Sequence, residues 1–149
     1  MIAQNSSKDL EGLLVVTVEQ AVAAPYTSCR LADAGARVIK VERPEGDFAR
    51  NYDSNALGNS AYFVWLNRGK ESIALDLKNK EDMAIFENII SKSDILIQNL
   101  APGAFERLGL DLKELRLKYP SLITCSISGF GDEGPYKNQK AYDLSLIHI

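Results

Sequence analysis

The chain has 149 residues, 46% hydrophobic and 25% charged, enough for one domain with a core and little more. Its net charge of −3 gives no support to nucleic-acid binding, which draws on a basic excess, yet leaves room for a local cationic pocket. No apolar run approaches the roughly 18 residues of a membrane span, and two cysteines without metal-ligand spacing exclude a disulfide framework and point to a reduced, cytoplasmic setting.

Residues 1–10 read as a flexible leader with no signal-peptide core. Val15, Val16 and Val18 form a β-branched run suited to a buried strand. Pro25 falls where a first helical turn tolerates its missing N–H, which predicts a helix over 25–34. Gly35 ends that helix, able to take the left-handed conformation at low cost. Residues 37–42 read as a second strand that delivers Arg43 to the sheet's carboxyl edge, where a βαβ unit places its ligands.

Residues 48–62 read as a polar loop, with Tyr52, Tyr62, Phe63 and Trp65 along or after it to pin it to the core or cover a ligand. Residues 67–70 mark a turn, and 72–77 alternate as a third strand. Asn79 reads as an N-cap with Asp82 at the capping-box position, and Met83, Phe86 and Ile90 give the next helix its core stripe. Residues 95–98 form a fourth strand ending at Asn99. A turn over 101–103 leads to a short helix with Phe105, Arg107 and Leu108 that stops at Gly109. Asp111 and Glu114 repeat the capping spacing ahead of a helix that Pro120 terminates. A fifth strand over 122–128 precedes the glycine-rich loop 129–135, then Lys137, Lys140 and Tyr142-Asp143-Leu144. This alternation predicts an α/β fold, Rossmann-like, with a mainly parallel sheet and helices on both faces.

The turn after the first strand, Glu19 to Ala24, lacks the glycines of Gly-x-Gly-x-x-Gly, so a dinucleotide site is disfavoured, and no P-loop is present. His148 is the only histidine, which makes a Ser/His/Asp triad implausible and excludes the usual His/Cys metal sites. What remains are polar residues at strand ends: Arg43, Lys78, Asn99 and Lys140, joined by Arg107 from the short helix. Any one such charge is more often solvated surface. Four cations from separate segments at one sheet edge suit a polyphosphate ligand.

Ordered stretches then carry a resemblance. They are Ala24-Pro25, the run from Leu31 to Glu42, Glu45-Gly-Asp47, Asn67 to Lys70, Leu75 to Lys78, Gln98-Asn99 with Pro102-Gly103, and Gly129 to Pro135 followed by Tyr142-Asp143-Leu144. With these the chain resembles the N-terminal portion of the class III coenzyme A transferases, the family of formyl-CoA transferase and the carnitine-pathway enzymes. The resemblance implies that 11–144 is part of a Rossmann-like CoA-binding domain within a larger CoA-transferase fold. It places Arg43, Leu75, Lys78, Asn99, Arg107 and Lys140 along coenzyme A, and 20–24 near the thioester end. Coenzyme A or its acyl thioester is then substrate, a carboxylic acid is its partner, and no prosthetic group or metal is expected.

In that family an aspartate attacks the acyl-CoA, forms a mixed anhydride, and is converted by the released thiolate into an enzyme thioester that the acceptor acid discharges. The resemblance puts that aspartate beyond residue 149, so no residue here is assigned as catalytic; Asp76 is expected to order a turn and Asp143 occupies another position. It also implies an interlocked homodimer. Residues 145–149 do not continue the family pattern and are expected to be a truncation artefact. A similar α-methylacyl-CoA racemase is the nearest alternative, but racemases carry a histidine base where this chain has Tyr142, and a phenol of pKa about 10 is a poor substitute. A non-catalytic or incompletely folded CoA-binding fragment is the alternative of another class. Phe48 to Arg50 and Tyr62 to Asn67 are similar to members that handle short dicarboxylic acids, with Arg50 the candidate for a second carboxylate.

Overall fold

In the computed structural model, which describes residues 8–131, 133–139 and 141, β1 (Leu14–Val18) is the centre of a five-stranded sheet. It is flanked by β2 (Arg37–Glu42) and β4 (Ile95–Gln98), with β3 (Lys70–Ala74) and β5 (Ile123–Ser126) outside them. All four pairings are parallel, in the order β3-β2-β1-β4-β5. Parallel neighbours need crossovers, and helices supply them: α1 (Ala23–Asp33), α3 (Lys80–Ile90) and α5 (Leu112–Lys118), with α2 (Ala61–Asn67) and the one-turn α4 (Ala104–Arg107) also in the connections. The expected α/β fold is present.

Strand alternation decides which residues meet which layer. Val16, Val18, Val41 and Leu96 face one way and pack with Phe86, Ile90, Phe105 and Leu115 from α3, α4 and α5. Val15, Val38 and Ile97 face the other way, with Ala24 of α1. The same face carries Thr17 and Lys40, which sit side by side in the β1–β2 register. Leu10 packs partly buried against this second layer, and its N–H donates to the Ala34 carbonyl (3.0 Å). Residues 1–7 of the expected leader and the tail 145–149 lie outside the described residues.

Helix ends follow the capping residues. Asn79 Oδ1 accepts from the N–H groups of Glu81 and Asp82, and Asp111 Oδ1 from those of Lys113 and Glu114. Asp82 does not close a reciprocal box; its carboxylate reaches the Asp76 N–H (2.7 Å). Gly35 follows the end of α1 at φ +106°, the left-handed conformation expected of it.

Three expectations shift. The polar loop contains a short 3-10 helix, Phe48–Asn51, capped by Asp47, and runs into α2. That helix forms despite its aromatic and β-branched composition. The Ser60 hydroxyl accepts from Phe63 N–H, Asp53 accepts from Ala61 N–H, and Leu66 is fully buried. β3 begins and ends earlier than 72–77 because its register with β2 closes at Glu42 and Ala74. β5 is shorter than 122–128 because its partner β4 offers only four residues.

Candidate functional site

The carboxyl ends of β1, β2 and β3 open into a cleft of about 840 Å³, within the size range of ligand pockets. The turn after β2 forms one wall: Pro44 and Glu45 occupy its corners and Gly46 N–H closes it on the Arg43 carbonyl (2.8 Å). The segment after β3 forms another, ordered by Asp76, whose Oδ1 accepts the Lys78 N–H (3.0 Å). Leu100 and α4 complete it.

Of the sequence-expected site residues, Arg43, Leu75, Lys78 and Arg107 all line this cleft. Arg43 is exposed, with Nε donating to the Gly46 carbonyl (3.1 Å). Lys78 is exposed, and its ammonium has no partner among the described residues. Arg107 is exposed and, among the described residues, held only by a long bond to the Pro102 carbonyl (3.4 Å). Leu75 is buried in the core with Val18 and Val41 and floors the cleft. Asn99 does not line it; its amide is turned onto the backbone of Gln20, which does. Lys140 and Tyr142-Asp143-Leu144 lie outside the described residues.

Behind the cleft lies a buried ionic network that the strand-end argument missed. Lys40, 1% exposed in mid-strand, donates to Asp47 (2.7 Å) and to Asn67 Oδ1 (3.0 Å). Lys70 donates to Glu19 (2.7 Å), to the Pro25 carbonyl (2.8 Å) and to the same Asn67 oxygen (3.0 Å). Ser28 Oγ donates to Glu19 as well (2.7 Å). Two carboxylates and two ammoniums balance, which is how charges survive away from water. Burial nonetheless pushes the Lys70 ammonium below its ordinary pKa, against the pull of Glu19. A lysine between Val38 and Glu42 on a covered strand face was the available signal.

Arg50, with its side chain 43% exposed, is paired rather than free. It makes a two-point bond to Glu42 (2.9 and 2.6 Å) and lies 4.0 Å from the Phe63 ring centroid. Glu42 also accepts from Ser72 Oγ and Asp47 N–H. Burial alone would raise its carboxyl, but these bonds and the Arg50 charge outweigh burial and hold the pKa down at about 2.

Among the described residues no group of His, Cys, Asp and Glu could hold a metal ion, and no helix is long and apolar enough to cross a membrane.

The model of CoA-transferase family III matches residues 10–148. The chain belongs to this family. Among family III relatives, the acetyl-CoA:oxalate CoA-transferase of Acetobacter aceti is 44% identical over 134 residues, covering 89% of this chain and 34% of the relative. The succinyl-CoA:glutarate CoA-transferase of Homo sapiens is 35% identical over 153 residues, covering 97% and 35%. A crystal structure of a CAIB/BAIF family protein from Brucella suis superposes with a TM-score of 0.85 at 38% identity, covering 93% of this chain and 38% of that one. The chain thus spans about a third of the length of the curated relatives it matches.

Proposed function

We propose that the whole protein transfers coenzyme A from an acyl-CoA to a free carboxylic acid, and that this chain supplies the CoA-binding part. The observation that carries this reading is the cleft of a family III chain with Arg43, Lys78 and Arg107 converging on it from three segments. Three cations at the carboxyl edge of a parallel sheet match the phosphates of coenzyme A, and the Leu75 side chain gives an apolar surface beneath. Lys140 is proposed to complete the set, and Asn99 to belong to the site through the turn it holds. Coenzyme A acts as substrate, and no prosthetic group is invoked.

Catalysis is assigned to an aspartate beyond residue 149, as the family resemblance implies. Its carboxylate attacks the thioester carbonyl and expels the CoA thiolate. The thiolate attacks the aspartyl carbonyl of the resulting anhydride and releases the donor acid. The acceptor carboxylate then attacks the enzyme thioester, expelling the thiolate again. That thiolate takes the acyl group from the second anhydride and regenerates the carboxylate. A short dicarboxylate is the proposed acceptor or donor acid, supported by the oxalate and glutarate in the names of two relatives. Arg50 pairs with Glu42 through two nitrogens and keeps its side chain 43% exposed, so it is the proposed partner of a second substrate carboxylate. A cytoplasmic homodimer is the proposed working form; free thiols at Cys29 and Cys125 support the reducing compartment.

Calorimetric titration of coenzyme A into the 149-residue chain tests the reading. Binding is expected, weakened about tenfold or more by Arg43→Gln or Lys78→Gln, since a hydrogen bond to a charged group contributes about 1.5–3 kcal/mol. Absence of binding overturns it. Transferase turnover by this chain alone would overturn the placing of the nucleophile.

A further inference from the structure

The outer side of α1, α2 and the 3-10 helix carries a row of aromatic rings, none of which lines the cleft. Phe48, Tyr52, Tyr62, Trp65 and Tyr26 follow one another, each ring centroid 5.6–6.1 Å from the next. The contacts are tilted or edge-to-face, the arrangement aromatic quadrupoles favour, so the rings hold one another in place. Yet all five are between 36% and 49% exposed.

Between Tyr52 and Tyr62 the chain makes an excursion whose base those two rings close at 5.9 Å. Asp53 fixes it from inside: its carboxylate accepts the Asn55 N–H (2.9 Å), the Ala61 N–H (2.8 Å) and the Ser60 hydroxyl (3.0 Å). At the tip the N–H groups of Ala56 and Asn59 donate to each other's carbonyls (3.0 Å each). Leu57 lies between them at φ +53°, its side chain fully exposed. A left-handed backbone disfavours a bulky residue, and water disfavours an uncovered isobutyl group. A pinned loop that holds a leucine in this state presents an apolar knob.

At about 150–250 Å² per aromatic side chain, the exposed parts of the rings and Leu57 together amount to roughly 600 Å². That is the upper end for a patch left open on a monomer, and about three-quarters of the roughly 800 Å² each partner gives to a standard interface. Charge does not oppose self-association. The charged side chains of α1, the 3-10 helix and the loop are paired within the chain: Arg30 with Asp33 (3.0 Å), Arg50 with Glu42 (2.6 Å) and Asp53 with its own loop; α2 has none. A knob beside exposed rings is complementary to its own two-fold copy.

We infer that this face binds a second copy of the chain, each Leu57 packing on the exposed rings of the other. The inference gives the proposed homodimer one of its surfaces. It draws nothing from coenzyme A binding, and its test uses no ligand, so the two readings fail separately.

Sedimentation equilibrium of the 149-residue chain and the fluorescence of Trp65, its only tryptophan, test it. A reversible monomer–dimer equilibrium is expected, with a Kd on the order of 1–100 µM for an interface somewhat below standard size. As the dimer forms, Trp65 emission moves to shorter wavelength and acrylamide quenches it less. Leu57→Asn removes both knobs of the symmetric contact at about tenfold each, so the dimer weakens about a hundredfold. Asparagine suits the left-handed backbone, and the variant's fold is checked at concentrations where both proteins are monomers. Tyr26→Gln, at the far end of the row, weakens the dimer about tenfold and leaves the loop untouched. Ile123→Thr, on the exposed start of β5, leaves the dimer unchanged. A chain that stays monomeric up to about 200 µM overturns the inference and leaves the face to polypeptide beyond residue 149. A dimer that leaves Trp65 emission unchanged, survives Leu57→Asn or is disrupted by Ile123→Thr lies elsewhere on the chain and overturns it too. So does higher aggregation that Leu57→Asn fails to relieve.

Discussion

Replacing Lys40 by methionine isolates the energetics of the buried network. The side chain is 1% exposed, and its ammonium lies 2.7 Å from Asp47 and 3.9 Å from Glu19. At an effective dielectric of about 20, a pair 2.7 Å apart attracts by roughly 6 kcal/mol, against a desolvation cost of several kcal/mol per ion. Removing one partner keeps the desolvation cost of the other, so Lys40→Met leaves Glu19 and Asp47 facing a single ammonium, that of Lys70. The expected loss is about 3–5 kcal/mol, a large share of the roughly 5–15 kcal/mol that holds a domain together. Asp47→Asn removes a charge while keeping an oxygen for the Ala21 and Ala49 N–H groups. The double variant Lys40→Met/Asp47→Asn restores neutrality and is expected to be more stable than the summed single losses by about 2 kcal/mol. Urea unfolding followed by far-ultraviolet circular dichroism measures all three variants. Additivity within about 0.5 kcal/mol would show that the two charges do not interact, and the account of the network would be wrong.

Glu42 sets an acid limit. Its folded pKa of about 2 lies below the roughly 4.3 of an unfolded glutamate, so its contribution is whole above about pH 4.5 and is lost as pH falls towards 2. Solvent screening at the partly exposed Arg50 reduces that contribution to about 1–2 kcal/mol. Glu42→Gln should flatten the fall in unfolding free energy across this window; an unchanged acid limb counts against the assignment. Leu57 is fully exposed at φ +53° and precedes Gly58 in the tight turn bridging Ala56 and Asn59. Asn-Gly is the favoured pair for such a turn, so Leu57→Asn should stabilise by up to about 1 kcal/mol, and a lowered melting temperature contradicts the turn geometry. Coenzyme A affinity should fall as ionic strength rises from about 0.05 to 0.5 M, because the cleft cations are exposed and screened; a salt-independent affinity places the phosphates elsewhere.

Most of the sheet was legible because β1, β2 and β4 are short, largely β-branched runs bounded by their own turn chemistry. α2 was not. Tyr62 to Leu66 has strand-like composition, and the helix depends on Ser60 and Asp53 supplying its N-terminal acceptors and on Leu66 finding the core. Arg43, Lys78 and Arg107 were legible as a group because strand ends of a parallel sheet share one edge. The inward turn of Asn99 was not, since nothing local shows that its amide bonds a residue 79 positions earlier. Pairing of Lys70 with Glu19, 51 positions apart, was hidden for the same reason.

The strand order carries a kinetic consequence. β1 meets β2 across a single helix, whereas its other neighbour, β4, arrives only after β3 and α3 have been threaded. Closing that long loop is entropically the later event. The Asn99–Gln20 bonds span the same seam, so the β1–α1 turn takes its final shape only when the two halves of the sheet zip together. Opening of the β1–β4 seam therefore breaks those bonds and releases the β1–α1 turn with it.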